Sequence, residues 1–253
     1  MAAPSRFKDR LALVTGASRG LGRAFALALA REGAHVVICA RTVGALEELD
    51  DEIRANGGHA TILKLDLRAH ERIDQLGPVL FQRWEKLDIL VAAGGILGPL
   101  SPLPHISADA WQSVLDINLS ANWRLIRTLD PLLKRSEAGR ALFVTASAAR
   151  GDLAYWGPYA VSKAGLEALV KSYGQELANT PVRVNLLDPG PMRTGLRAKA
   201  FPGEDKSKLV EPSKVAEFAL PLLLPTTTES GRLVRFNPGG EAATAALAAS
   251  NDA

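Results

Sequence analysis

Short apolar runs alternate with longer stretches of helical periodicity along nearly the whole chain. Residues 11–14, 36–40, 60–65, 87–92, 141–145, 182–187 and 233–236 read as strands. Between them, helical spacing predicts helices over 21–32, through Leu46, Leu49 and Ile53, and over 73–84, 109–133 and 158–179. Gly33 and Asn56-Gly57-Gly58 stop the first two. Gly77-Pro78 is expected to interrupt the third, and Pro131 falls near the end of the fourth. Strands alternating with helices imply βαβ units and a parallel sheet. Strands covered on both faces read as continuous apolar runs, as Val36-Val37-Ile38 and Ile89-Leu90-Val91 do. The expected fold is α/β, a doubly wound, mostly parallel sheet of about seven strands with helices on both faces. No linker or fixed-period repeat divides the 253 residues, so one domain spanning 1–253 is expected. The Ala-rich tail, about 241–253, is expected to pack on a neighbour or fray.

Composition narrows the function classes. Apolar residues are 47% and charged residues 23%, enough for a sizeable core. The net charge is +3 and the cations are scattered, so no nucleic-acid or membrane patch is expected. The one cysteine, Cys39, lies in an apolar run and reads as a structural thiol. The first ten residues lack an apolar signal region, and no stretch approaches a membrane span, so a cytoplasmic protein is expected. His35, His59, His70 and His105 show no ligand spacing, so no metal is expected.

The first strand runs into Thr15-Gly16-Ala17-Ser18-Arg19-Gly20-Leu21-Gly22, which opens the first helix. Gly16 lets the chain turn sharply out of the strand. Gly20 lets backbone approach a pyrophosphate, and Gly22 lets helix and strand lie close. Backbone N–H groups at the helix start then face the phosphates of a nicotinamide dinucleotide, as in a Rossmann-type fold.

Tyr159 and Lys163 are four residues apart, on one face of the 158–179 helix, with Pro158 suited to its start. An adjacent ammonium favours phenolate, so Lys163 is expected to lower the Tyr159 pKa and fit it for proton transfer near neutrality.

Taken in order, the glycine turn, Asp66-Leu67, Asn118, Tyr159-Ala-Val-Ser-Lys163 and Asp188-Pro-Gly-Pro-Met-Arg-Thr194 resemble the short-chain dehydrogenase/reductase family over residues 7–240. The resemblance implies that Tyr159 is the general acid/base, that Lys163 also holds the nicotinamide ribose, and that Asn118 helps place a water. It implies cofactor contacts at Gly16, Ser18, Arg19, Gly20, Leu21, Gly22, Arg41, Asp66, Leu67, Gly94, Pro189, Gly190, Met192 and Thr194. The position matching the family's acid after the second strand is Ala40, followed by Arg41. With Arg19 nearby, NADP is expected rather than NAD. Asp66 either binds the adenine amino group or caps the following helix.

Two positions depart from the family's pattern. Counting from Tyr159 or from Asn118 puts Ala146 where the family has a substrate-binding serine. Thr145 and Ser147 flank it; a continuing strand points them to the opposite face, whereas a one-residue shift brings Ser147 into the site. If neither serves, Tyr159 alone donates to the substrate oxygen. Ala92-Ala93 replaces a common asparagine pair, with loss of the side-chain bonds that brace the sheet. Residues 195–212, with Phe201-Pro202-Gly203-Glu204-Asp205, are polar, are expected to be irregular, and read as a mobile substrate lid. Leu153, Tyr155 and Trp156 are candidates either for pocket wall or for core.

The expected activity is NADP(H)-dependent hydride transfer with a small-molecule carbonyl or secondary alcohol. The alternative is a dinucleotide-binding sensor or scaffold. The resemblance also implies a homodimer or homotetramer built on the 109–133 and 158–179 helices.

Overall fold

A computed structural model describes residues 5–238. The 241–253 tail lies outside the described residues. The chain runs β1 (Leu11–Thr15), α1 (Gly20–Arg31), β2 (His35–Ala40), α2 (Val43–Ala55), β3 (His59–Lys64), α3 (His70–Asp74), α4 (Leu76–Trp84) and β4 (Ile89–Ala92). It continues through α5 (Ala108–Leu115), α6 (Ala121–Arg135), β5 (Arg140–Val144), α7 (Gly157–Glu176), β6 (Arg183–Asp188), α8 (Gly195–Ala200), α9 (Pro212–Ala219) and β7 (Leu233–Arg235). The seven strands form one sheet in the order β3-β2-β1-β4-β5-β6-β7, and every pairing is parallel. The expected fold class is therefore the observed one.

Alternation along each strand divides the core between the two faces. Val14, Val36, Ile38 and Val91 pack with Phe25 and Leu29 of α1, Leu46 and Leu49 of α2 and Val215 of α9. Leu13, Val37, Leu90 and Phe143 pack with Leu80 of α4, Leu125 and Leu129 of α6 and Leu166 and Val170 of α7. Chain order reverses between β1 and β4, which opens a crevice at the carboxyl ends of those strands.

Two local expectations are corrected and a third is sharpened. The uninterrupted 109–133 helix is instead α5 and α6 joined by one π-helical segment, Asp116–Ser120. The 73–84 helix is interrupted near Gly77-Pro78 as expected, with the break itself two residues earlier, at Gln75. There the Thr128 hydroxyl of α6 donates to the Asp74 carbonyl (2.9 Å) and accepts from Gly77 N–H (3.1 Å), parting the helical ladder. Pro78 then sits in the first turn of α4, where its missing N–H costs nothing. Residues 195–212 are not irregular throughout: they contain α8 and a 3-10 turn at Lys206–Lys208, and α9 begins at Pro212.

Candidate active site

A cavity of about 700 Å3 runs across the carboxyl edge of the sheet. At one end lies the glycine turn. Gly16 has φ +67°, and a Cβ there would stand 2.7 Å from Gly94 Cα, so side chains are excluded where β1 and β4 diverge. A Cβ on Gly22 would collide with the Gly16 carbonyl oxygen. A Cβ on Gly20 would lie 3.5 Å from the Thr194 side chain. Ser18, Leu21, Arg19 and Arg41 also line this end, and both arginines are exposed. Among the described residues neither arginine has an ion-pair partner within 4 Å. The donor set therefore fits a dinucleotide carrying an additional phosphate.

Asp66 and Leu67 line the same end. Asp66 does not cap α3, whose first turn has no side-chain cap. Its carboxylate accepts from Arg68 N–H (3.0 Å) and pairs with the Arg68 guanidinium (2.8 Å), which holds its pKa below the usual carboxylate range. Cys39 is buried in β2, and burial pushes its thiol pKa up, away from reactivity.

Pro189 and Gly190 turn the chain after β6 and line the cavity, with Gly190 at φ +63°. Asp188 Oδ1 accepts from Gly190 N–H (3.1 Å), which braces this turn. Met192 and Thr194 follow on the cavity wall. The Thr194 hydroxyl accepts from Arg197 N–H (3.2 Å) and so caps α8.

At the other end Tyr159 and Lys163 are buried side by side on α7, with Lys163 Nζ 5.8 Å from the Tyr159 ring centre. Lys163 donates to the Val144 carbonyl (2.7 Å), and burial lowers its pKa to about 8. The expected lowering of the Tyr159 pKa is corrected. Burial pushes it up to about 12, and the Asp188 carboxylate adds to the rise. Desolvation of the phenolate outweighs any help from an ammonium whose own charge is weakened by burial.

Asn118 lies in the π-helical segment, fully buried. Its Oδ1 accepts from Ile96 N–H and its Nδ2 donates to the Ile96 carbonyl, both at 2.9 Å; Nδ2 also donates to Ser162 Oγ at 3.0 Å. A Cβ on Gly95 would lie 3.2 Å from Asn118 Oδ1 and 3.7 Å from Lys163 Nζ, so a glycine keeps the two groups adjacent. The extra residue of the π-turn sets Asn118 at this point, a common use of such segments.

Ala146 packs in a small cluster with Tyr159, Leu97, Ala148 and Trp156. Thr145 turns away, its hydroxyl donating to Glu167 Oε1 (2.9 Å). Ser147 opens a 3-10 turn, is exposed, and lines the cavity. Leu153 and Trp156 also line it. Tyr155 is exposed at φ +72° and does not line it. The sequence reading missed Glu167. Glu167 was detectable, four residues beyond Lys163 on the same helix face. Phe201 of the 195–212 segment packs on Trp156, ring centres 5.7 Å apart.

Among the described residues, no group of three or more His, Cys, Asp or Glu is placed to hold a metal ion, and no helix is long and apolar enough to cross a membrane.

Comparison with known proteins agrees with this geometry. The short chain dehydrogenase family model matches residues 10–205. The uncharacterized oxidoreductase YciK of Escherichia coli K12 is 35% identical over 218 residues, 85% of this chain and 86% of that protein. A solved structure described as a short chain dehydrogenase from Pseudomonas syringae superposes with TM-score 0.88 at 36% identity, covering 93% of this chain and 97% of that one. One from Shigella flexneri, complexed with NADP, gives TM-score 0.86 at 33% identity over 92% of this chain and 99% of that one. The chain belongs to the short-chain dehydrogenase family and is an oxidoreductase of that family.

Proposed function

We propose that this protein is an NADP(H)-dependent carbonyl reductase or alcohol dehydrogenase, formed by the whole chain as one catalytic unit. The observation that carries the reading is one cavity joining Arg19 and Arg41 at the glycine turn to buried Tyr159 and Lys163 on α7. The NADP complex of the Shigella flexneri neighbour supports the choice of dinucleotide. A bound nicotinamide supplies or accepts the hydride.

The rest is done by this chain. Arg19 and Arg41 bind the 2′-phosphate, and Asp66 and Leu67 bind the adenine. Gly94, Pro189, Gly190, Met192 and Thr194 border the diphosphate and nicotinamide. Lys163 holds a ribose hydroxyl, and Asn118 fixes the backbone at Ile96 beside it. Tyr159 passes its proton to the carbonyl oxygen. A pKa pushed up to about 12 keeps that proton on the phenol across the physiological range, which favours reduction. Residues 195–212 cover the substrate. The alternative, a dinucleotide sensor or scaffold, draws on Ala146.

One experiment separates the two readings. Tyr159→Phe is expected to lower turnover of carbonyl substrates at least a hundredfold while leaving the NADPH dissociation constant within about twofold. Retained turnover would remove Tyr159 as the acid, and absence of turnover in the unaltered protein would favour the sensor. In the same titrations NADPH is expected to bind at least tenfold tighter than NADH, and Arg41→Ala to erase most of that difference. Equal affinities would remove Arg41 and Arg19 from phosphate recognition.

A further inference from the structure

We propose that the substrate oxygen receives a single side-chain hydroxyl hydrogen bond, from Tyr159, and that the protein therefore selects electron-poor aromatic carbonyls; this rests on the carbonyl-reductase reading above.

The side-chain protons around Tyr159 are largely spent on other partners. Both amide protons of Asn118 are spent, on the Ile96 carbonyl and on Ser162 Oγ. The Ser162 hydroxyl proton goes to the Tyr159 carbonyl (2.7 Å), and the Thr145 hydroxyl proton to Glu167. Lys163 is drawn to the Val144 carbonyl. The cluster around Tyr159 is Leu97, Ala146, Ala148, Trp156, Leu196 and Ala200, none with a hydroxyl, and Ala146 carries only a methyl at the position where the family resemblance puts a substrate-binding serine. Ser147 lies beyond it, exposed at the head of the 3-10 turn. The Tyr159 hydroxyl borders the cavity with no hydrogen-bond partner among the described residues; Ser147 borders it unpaired as well, but the extended backbone at Ala146 (φ −158°, ψ 154°) turns the Ala146 and Ser147 side chains to opposite sides.

A carbonyl oxygen accepts two hydrogen bonds, and a donor aimed at a developing oxyanion is worth on the order of 10²–10³ in rate. As the carbonyl carbon takes a hydride from the reduced nicotinamide, the π pair of the C=O bond moves onto oxygen, which takes the Tyr159 proton. C–H and O–H bonds form, the carbonyl is reduced by two electrons, and the nicotinamide is oxidised by two. With one donor to stabilise that oxygen, more of the activation must come from the substrate. The wall supplies the rest of the preference. Trp156 lies against both Tyr159 and Phe201, ring centres 5.8 and 5.7 Å apart, and Leu97, Leu153 and Leu196 complete an apolar slot suited to a flat ring.

The test uses para-substituted benzaldehydes, from nitro to methoxy, with NADPH and the full-length protein. For the unaltered protein kcat/KM is expected to fall at least tenfold across the series. Ala146→Ser is expected to raise the methoxy compound on the order of tenfold more than the nitro compound, compressing that span. A second readout needs no turnover: in the complex with NADP+ and benzaldehyde, the infrared carbonyl band is expected at lower wavenumber in Ala146→Ser than in the unaltered protein. A flat series, or an unchanged span and band in Ala146→Ser, overturns the proposal. So does a tenfold loss across the series in Ser147→Ala, which would make Ser147 a second donor. Failure of every aldehyde to oxidise bound NADPH would instead overturn the carbonyl-reductase reading itself, while the infrared comparison still reports the donor count.

Discussion

Glu167 stands one helical turn beyond Lys163 and touches two parts of the site. Its carboxylate accepts from Thr145, the residue before Ala146, and its other oxygen lies 3.9 Å from Lys171 Nζ. It also supports the Lys163 ammonium against the burial that lowers its pKa to about 8. Lys163 is charged below that value and loses its charge as pH rises through it, so kcat/KM for reduction is expected to fall on the alkaline side of about pH 8. Glu167→Gln removes the negative charge, stabilises the ammonium less, and moves that limb to lower pH. Each unit moved costs about tenfold in activity at alkaline pH. Glu167 is the charged group that acts on Lys163, and the neighbouring Tyr159 phenol is neutral, so Glu167→Asp is expected to restore most of the limb. A purely structural defect would lower the whole profile without moving it, and that outcome in a pH–rate measurement would remove Glu167 as a positioning residue.

Elements differ in how much of them a single sequence exposes. The strands were legible because β1, β2 and β4 are buried on both faces and so are apolar but for Thr15 and His35 at their ends. The glycine turn and the Tyr159–Lys163 pair were legible because their chemistry is local: a turn between strand and helix, and a four-residue step on one helix face. What was hidden depends on partners distant in sequence. The break at Gln75 is made by Thr128, more than fifty residues away, and Gly77, read as a helix breaker, serves to let α4 approach the Thr128 backbone. The π-turn at Asp116–Ser120 leaves the apolar periodicity of its flanks almost intact, so a continuous helix was the natural reading. The Tyr159 pKa was misjudged for a related reason. The spacing places an ammonium nearby but says nothing of how deeply the pair is buried, and burial decides the sign.

Because every strand of the sheet is parallel, the molecule has two unlike edges. The carboxyl edge carries Thr15, Ala40, Ala92, Val144 and Asp188 and all the chemistry. The amino edge carries Arg140 at the start of β5, only 3% exposed and, among the described residues, without an acidic partner within 4 Å. Its guanidinium donates to the carbonyls of Gly139, Pro181, Leu224, Pro225 and Thr227. It thus ties the segment after α9 and the approach to β6 to β5. Burial lowers its pKa to about 10, helped by Arg10 and Arg183 nearby, so it stays charged at neutral pH. Arg140→Met keeps the stem's packing and leaves these carbonyls without their donor. At roughly 1–3 kcal/mol for a buried group left unpaired, and with partial relaxation toward water, the expected loss of stability is on the order of 3 kcal/mol by urea unfolding. The NADPH affinity of the folded protein is expected to change less than threefold, because the cavity lies at the opposite edge. Weakened NADPH binding in protein that remains folded would show that the two edges are coupled through β5, whose other end leads into Thr145 and Ala146.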